Sequence, residues 1–108
     1  MGELLGGLEA SVLRAVSAPD DGPAYGLSVR RAVSVERGRE YSIGAIYTTL
    51  ARLEAKGLVA SVASEPVAVR GGRSRREYLI TALGQQAMAR ARTAAARTWG
   101  FGITEVTP

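Results

Sequence analysis

The stretch that most constrains the fold lies at residues 41–59, which carry the signals of one helix with well-marked ends. Ser42 is a favourable N-cap, because its hydroxyl can accept a hydrogen bond from a first-turn amide that has no partner within the helix. Gly57 stands where a left-handed residue ends many helices. We therefore predict a helix over residues 43–56, and its apolar side is formed by Ile43, Ile46, Leu50 and Leu53.

The opposite side of this predicted helix is small and nearly uncharged, whereas a solvated helix face is normally rich in charged and polar residues. It carries Gly44, Thr48, Ala51 and Ala55, with Ala45 and Arg52 beside them. Small residues allow a helix to approach another surface closely. Two interpretations follow: a helix packed on two sides, or a helix whose N-terminal half lies in a groove of nucleic acid.

Composition removes most routes to enzyme chemistry. The 108 residues, 46% of them hydrophobic, suit one globular domain. The chain contains no cysteine and no histidine, which excludes disulfides, thiolate and histidine metal sites and histidine-based catalytic triads. We therefore predict a protein that is not an enzyme and that holds no cofactor and no metal. Because no apolar run approaches membrane-spanning length and no signal-peptide pattern opens the chain, the expected location is the cytoplasm.

The positive charge is concentrated in one segment. The formal net charge is +4, and all of the 14 basic residues except Lys56 are arginine. Arginine presents a planar, permanently charged fork that fits phosphate groups and the edge of guanine. A cluster without any acidic residue lies between residues 66 and 76, at Arg70, Arg73, Arg75 and Arg76. Its position indicates a contact with nucleic acid, and a solvated basic turn is the alternative.

The predicted elements follow the order helix, helix, helix, β-hairpin, helix. Three helices and a hairpin with a basic tip are typical of a winged helix-turn-helix, in which the third helix lies in the major groove and the hairpin touches the flanking backbone. The predicted fold is therefore mainly α with a small β-hairpin, as a winged helix-turn-helix over residues 1–81 plus a C-terminal dimerisation helix. The other predicted bounds are a first helix from residue 4 or 8 to 16, a second at 24–35, strands at 58–64 and 75–80, a last helix at 82–99 capped by Thr81, and a flexible tail at 100–108.

At this level of detail the chain resembles the PadR-like transcriptional regulators over about residues 3–90. The motifs that carry the resemblance are LEASVL at 8–13, AYG at 24–26, GAIYTTLARLEAKGLV at 44–59 and GGRSRREYLITALG at 71–84. The length is similar to that of the short branch, which has a single C-terminal helix. The resemblance implies a homodimeric repressor that binds double-stranded operator or promoter DNA in a sequence-specific manner.

The candidate DNA contacts fall on two elements. Thr48 and Arg52 have side chains that can hydrogen-bond to base edges, and Ala45 suits a thymine methyl group. Because this is a small base-reading set, we expect affinity to depend mainly on phosphate contacts and DNA shape. The full predicted set is Tyr25, Ser42, Gly44, Ala45, Tyr47, Thr48 and Arg52 together with Arg70, Arg73, Arg75 and Arg76.

Three of these residues have other interpretations. Tyr47 could bind a phosphate through its hydroxyl, as the resemblance implies, or could be a partly buried packing residue. Tyr25 could contact a phosphate at the start of the second helix or belong to the core. Arg52 could be an ordinary surface residue.

The last predicted helix is rich in alanine, and a lone helix of this kind is not stable without packing. We therefore expect it to pack on the first helix of a second copy, through Leu4, Leu5, Leu8 and Val12 on one side and Leu83, Ala87, Ala91, Ala95 and Trp99 on the other. Some short members of the family respond to a ligand in a pocket with aromatic rings at the interface. The resemblance thus implies two roles for Trp99: the wall of a pocket for a small hydrophobic or aromatic effector, or a simple interface anchor.

A winged-helix module that binds another protein, without binding DNA, is the alternative to a DNA-binding regulator. The Gly71-Gly72 pair is not interpreted as a nucleotide-binding loop, because the strand–loop–helix context and the following Lys-Ser/Thr are missing.

Overall fold

The computed structural model describes residues 5–18, 23–63 and 76–106, and for residues 95–106 it describes the backbone alone. These ranges contain four helices and three strands. In chain order they are α1 (Gly7–Ser17), β1 (Ala24–Tyr25), α2 (Gly26–Arg37), α3 (Ile43–Ala55), β2 (Val59–Ala63), β3 (Arg76–Ile80) and α4 (Ala82–Val106). The predicted fold class, mainly α with a small β-hairpin, is confirmed, and the hairpin is part of a three-stranded sheet.

The helix predicted from the residue 41–59 stretch is confirmed as α3. The Ser42 hydroxyl accepts a hydrogen bond from the Ala45 amide at 3.1 Å. Gly57 has a φ of 78°, the left-handed conformation expected after the helix. The apolar side of α3 is fully buried at Ile46, Leu50 and Leu53. It packs against α1 and α2 in one core, to which those helices contribute Val12, Leu13, Val16, Val29 and Val33.

The start of the second helix was predicted wrongly. Ala24 and Tyr25 are not helical but form β1, which pairs antiparallel with β3 at Ala24↔Tyr78 and Tyr25↔Glu77. The sheet therefore has three strands, in the order β1-β3-β2, rather than the two of a hairpin. A two-residue strand carries no periodic pattern, and its partner lies far away in sequence, so local signals could not reveal it.

A buried polar contact joins α1 to α2. Ser11 is fully buried, and its hydroxyl donates to the Glu36 carboxylate at 3.1 Å and accepts from the Arg37 guanidinium at 3.3 Å. Glu36 also forms an ion pair with Arg14, which holds the pKa of the Glu36 carboxyl below its ordinary value. On the other side of α1, Glu9 pairs with Lys56 after α3 at 3.1 Å. These contacts fix α1 against both following helices.

The last helix begins at a tight junction with the sheet. The Thr81 hydroxyl accepts from the Gly84 amide at 3.0 Å, which confirms Thr81 as the cap, and donates to the Gly57 carbonyl at 2.7 Å. The helix continues to Val106, so the predicted helix end at residue 99 and the predicted tail from residue 100 are wrong for residues 100–106. Gly100 and Gly102 each cost a helix only about 1 kcal/mol relative to alanine, and within residues 100–108 the only proline is Pro108. Residues 107–108 lie outside the described ranges.

The predicted dimer surface is only partly available. Val12 and Ala87 are buried in the core of their own chain, so assigning them to a dimer surface was wrong. The helical spacing of α1 could not separate the two, because a core surface and an interface are both apolar. Leu83 is 54% exposed, Ala91 is half-buried, and Leu5 and Leu8 are half-buried against the core. Leu4 and the side chains of Ala95 and Trp99 lie outside the description.

Within the described ranges, no helix has the length and apolarity needed to cross a membrane.

Candidate nucleic-acid interface

The outward face of α3 is open to solvent. Gly44, Thr48 and Arg52 are exposed along it, and no described element covers them. The interpretation of a helix packed on two sides is therefore wrong within the described part of this chain. Most of the DNA contacts predicted on α3 and its N-cap are exposed, namely Ser42, Gly44, Tyr47, Thr48 and Arg52, and Ala45 is half-buried.

The two adjacent threonines of α3 have different surroundings. Thr49 is buried, and its hydroxyl donates to the Ala45 carbonyl of the preceding turn at 2.9 Å. Thr48 is exposed. Of these two threonines, it is therefore Thr48 that presents its side chain to solvent, as its position on the outer side predicted.

Tyr47 is both a packing residue and an exposed one. Its side chain is 46% exposed, and the far end of its ring lies against the backbone of Gly26 at the start of α2. A Cβ atom placed on Gly26 would lie only 2.5 Å from the Tyr47 hydroxyl oxygen. The tyrosine therefore bridges α3 and the first turn of α2, with part of its surface accessible.

Tyr25 is half-buried and precedes α2 as its N-cap residue. Its amide donates to the Ser28 hydroxyl at 2.9 Å, and that hydroxyl donates back to the Tyr25 carbonyl at 2.9 Å. The local contacts fix the backbone where β1 turns into α2.

The wing consists of β2, β3 and the connecting residues 64–75. At its base, the exposed Arg76 donates to the Ser61 hydroxyl at 2.9 Å, and Ser61 donates to the Glu54 carboxylate at 2.8 Å. This chain of contacts ties β3 through β2 to the last turn of α3. It holds Arg76 beside the candidate recognition helix. Arg70, Arg73 and Arg75 lie outside the described ranges.

Tyr78 fills the space between the wing and the helices. It is buried on the sheet face that also carries Arg76, because residues two apart in a strand lie on the same face. Burial raises the pKa of the Tyr78 phenol, and the neighbouring Tyr47 adds to the rise. Tyr78 therefore stays neutral and belongs to the core rather than to the exposed surface.

The turn between α2 and α3 is fixed by arginines around Tyr41. Arg30 donates to the Tyr41 carbonyl at 2.6 Å, and Arg37 donates to the Tyr41 hydroxyl at 2.7 Å. The Arg39 guanidinium lies 4.8 Å from the centre of the Tyr41 ring, within cation–π range. These contacts hold Tyr41, just before α3, against α2 and the turn. These contacts could not be predicted from the sequence, because none of them belongs to a periodic pattern.

Solved structures with the same fold are regulators. A PadR-like transcriptional regulator from Bacillus cereus strain ATCC 14579 is 19% identical, with a TM-score of 0.69 over 94% of this chain and 92% of the other. A PadR family regulator from Eggerthella lenta DSM 2243 is 23% identical, with a TM-score of 0.66 over 92% and 80%. A PadR family regulator from Clostridium difficile R20291 is 20% identical, with a TM-score of 0.65 over 95% and 100%. At these identities the likeness establishes the winged-helix fold. No curated protein matches the chain.

A family model matches the part of the chain that contains the helix-turn-helix, the wing and the start of α4. The model of the Transcriptional regulator PadR-like family matches residues 13–90, well over half of the chain. The exposed face of α3, the wing tied to it and the start of α4 (residues 82–90) all fall in this range. The chain belongs to the PadR-like family of transcriptional regulators.

Proposed function

We propose that this regulator binds double-stranded DNA in a sequence-specific manner and acts as a repressor at an operator or promoter, in the cytoplasm. The observation that carries the proposal is the exposed outer face of α3, whose small residues allow close approach to a groove floor. The wing supports it, because Ser61 and Glu54 hold the base of a basic hairpin beside the same helix.

The base-reading part of the proposed interface is small. Thr48 and Arg52 supply hydrogen-bonding groups on the exposed face, and Ala45 supplies an apolar contact. Tyr47 and the wing arginines would contact phosphates, which fix the register of the protein on the duplex without reading sequence. Specificity would therefore come from a few bases and from DNA shape.

Capture of genomic DNA tests the proposal directly. Sheared DNA from the source genome is incubated with the tagged chain, and the retained fragments are sequenced. The proposal predicts enrichment of discrete fragments that share a motif. Retention of no DNA would contradict DNA binding, and uniform retention of all fragments would contradict sequence specificity.

Replacing Thr48 by alanine should change which sequences are preferred, because its exposed hydroxyl is the one proposed to bind base edges. Replacing Arg73 or Arg76 by alanine should instead weaken binding to all sequences alike, because phosphate contacts carry no base information. Selection from a randomised DNA library measures the preference of each variant. An unchanged preference for Thr48→Ala would exclude direct reading at that position.

We further propose a homodimer in which α4 packs on α1 of a second copy, as the exposed Leu83 and half-buried Ala91 and Leu8 support. A two-fold pair would place two copies of α3 about one DNA turn apart. Light scattering after size-exclusion chromatography tests the dimer, and a monomeric mass at micromolar concentration would contradict it.

We also propose that a small hydrophobic or aromatic effector bound near Trp99 releases the protein from DNA. The alternative role of Trp99 is a simple anchor of the dimer interface.

A further inference from the structure

Gly26 occupies a position where the fold has no room for a side chain. A Cβ atom at this residue would lie 2.5 Å from the Cζ and Oη atoms of Tyr47 and 2.6 Å from its Cε1 atom. No pair of non-bonded carbon and oxygen atoms tolerates such separations. Gly26 does not have a positive φ, so backbone strain does not account for the glycine. The Tyr47 ring occupies the space that a side chain at residue 26 would need.

The contact places the Tyr47 ring in a defined orientation. Tyr47 projects from α3, is 46% exposed, and has the end of its ring over the buried backbone of Gly26. A half-exposed tyrosine without such a support would exchange between several side-chain rotamers. The absence of a Cβ at the start of α2 therefore determines where the Tyr47 hydroxyl is held.

We propose that Gly26 is a positioning residue for DNA binding. Because Gly26 has no side chain, the Tyr47 ring packs against its backbone, and the phenol hydroxyl is held in place to donate to a DNA phosphate. This inference rests on the proposed function. It concerns Gly26, which touches no DNA itself and acts through Tyr47. A preset hydroxyl binds a phosphate without the cost of ordering the side chain at the moment of binding.

Alanine at residue 26 separates this role from a role in folding. The atoms that the added methyl group would meet are at the far end of a flexible, partly exposed side chain, so the ring can swing away. No backbone atom is among the three nearest. Alanine also suits the first turn of a helix better than glycine does. Gly26→Ala should therefore leave the fold intact and displace the Tyr47 hydroxyl.

The experiment is a double-mutant cycle of wild type, Gly26→Ala, Tyr47→Ala and the double variant. Each is measured for its Kd on a fragment that wild type binds and for its Tm. We expect Gly26→Ala to weaken binding about tenfold, as for the loss of one hydrogen bond to a charged group, with little change in Tm. The double variant should bind no more weakly than Tyr47→Ala. Gly6→Ala is the control, because in the described part of the chain nothing lies within 4 Å of a Cβ placed there.

Each other outcome is decisive. Wild-type affinity in Gly26→Ala would overturn the inference, and so would losses that multiply in the double variant, since Gly26 would then act independently of Tyr47. If Gly26→Ala does not fold, the double variant decides. A folded double variant supports the packing of the Tyr47 ring against Gly26, and an unfolded double variant overturns the inference. A wild-type chain that binds no fragment overturns the proposed function itself, whereas a binding wild type with an unaffected Gly26→Ala overturns only this inference.

Discussion

Replacing Gly84 by alanine should lower the free energy of unfolding by about 3 kcal/mol, even though alanine is the better helix former. A Cβ atom at residue 84 would lie 2.1 Å from the Leu58 carbonyl oxygen and 2.8 Å from the Ile80 Cγ1 atom. The nearest of these is a backbone atom, which cannot rotate aside. The change must therefore push α4 away from the segment after α3. That movement would strain the hydrogen bond from the Thr81 amide to the Leu58 carbonyl at 3.1 Å.

Gly44→Ala is the matched control for this prediction, because Gly44 is also in the first turn of a helix. It is exposed, and in the described part of the chain nothing lies within 4 Å of a Cβ placed there. Alanine at residue 44 should raise the free energy of unfolding by about 0.5–1 kcal/mol through helix propensity. Urea denaturation followed by circular dichroism measures both variants. If Gly84→Ala were at least as stable as wild type, the close approach of α4 to the Leu58 carbonyl would be contradicted.

Reversing two charges in the wing should cost about 100-fold in DNA affinity, because Arg73→Glu and Arg76→Glu would each remove a proposed phosphate contact and add a repulsion. Arg76 is held beside α3 by Ser61, at the base of the wing. The loss should apply to specific and unrelated DNA fragments alike, since the affected contacts are made to phosphates. Fluorescence anisotropy with labelled duplexes measures both affinities, and circular dichroism checks that the variant is folded.

Arg90→Glu with Arg92→Glu is the control, because both residues are exposed on α4 and the formal charge falls by the same amount. This variant should bind DNA far better than the wing variant. The comparison also discriminates between the two function classes. A winged-helix module that binds another protein would be indifferent to charge reversal in the wing. Equal affinities of the two double variants would therefore contradict a DNA-binding wing.

The sequence predicted the elements whose signals are local. Helix α3 carries its cap, its apolar spacing and its terminal glycine within a single stretch, and all three are confirmed at Ser42, Leu50 and Gly57. The strand pair of the wing followed from β-prone runs on either side of a glycine pair. The layout of winged helix-turn-helix followed from the order of these elements alone.

The sequence could not predict contacts between residues that are distant in the chain. Strand β1 exists because Ala24 meets Tyr78, a partner that no local pattern indicates. The same holds for the Tyr47 ring on Gly26 and for Gly84 against the Leu58 carbonyl: both glycines stand in recognisable motifs, but the reason for each is a neighbour from another element. Val12 was assigned to the wrong surface because an apolar residue on a wide helix face has the same appearance in core and interface.

The measurement that tests the central claim most directly is the affinity for a DNA fragment from upstream of the gene that encodes the protein, determined at several salt concentrations. Binding through phosphate contacts releases counterions, so the logarithm of the association constant should fall steeply and linearly with the logarithm of salt concentration. An unrelated fragment should bind more weakly at every salt concentration. Absence of binding, or an affinity that does not change with salt, would contradict the proposal that the face of α3 and the wing bind DNA.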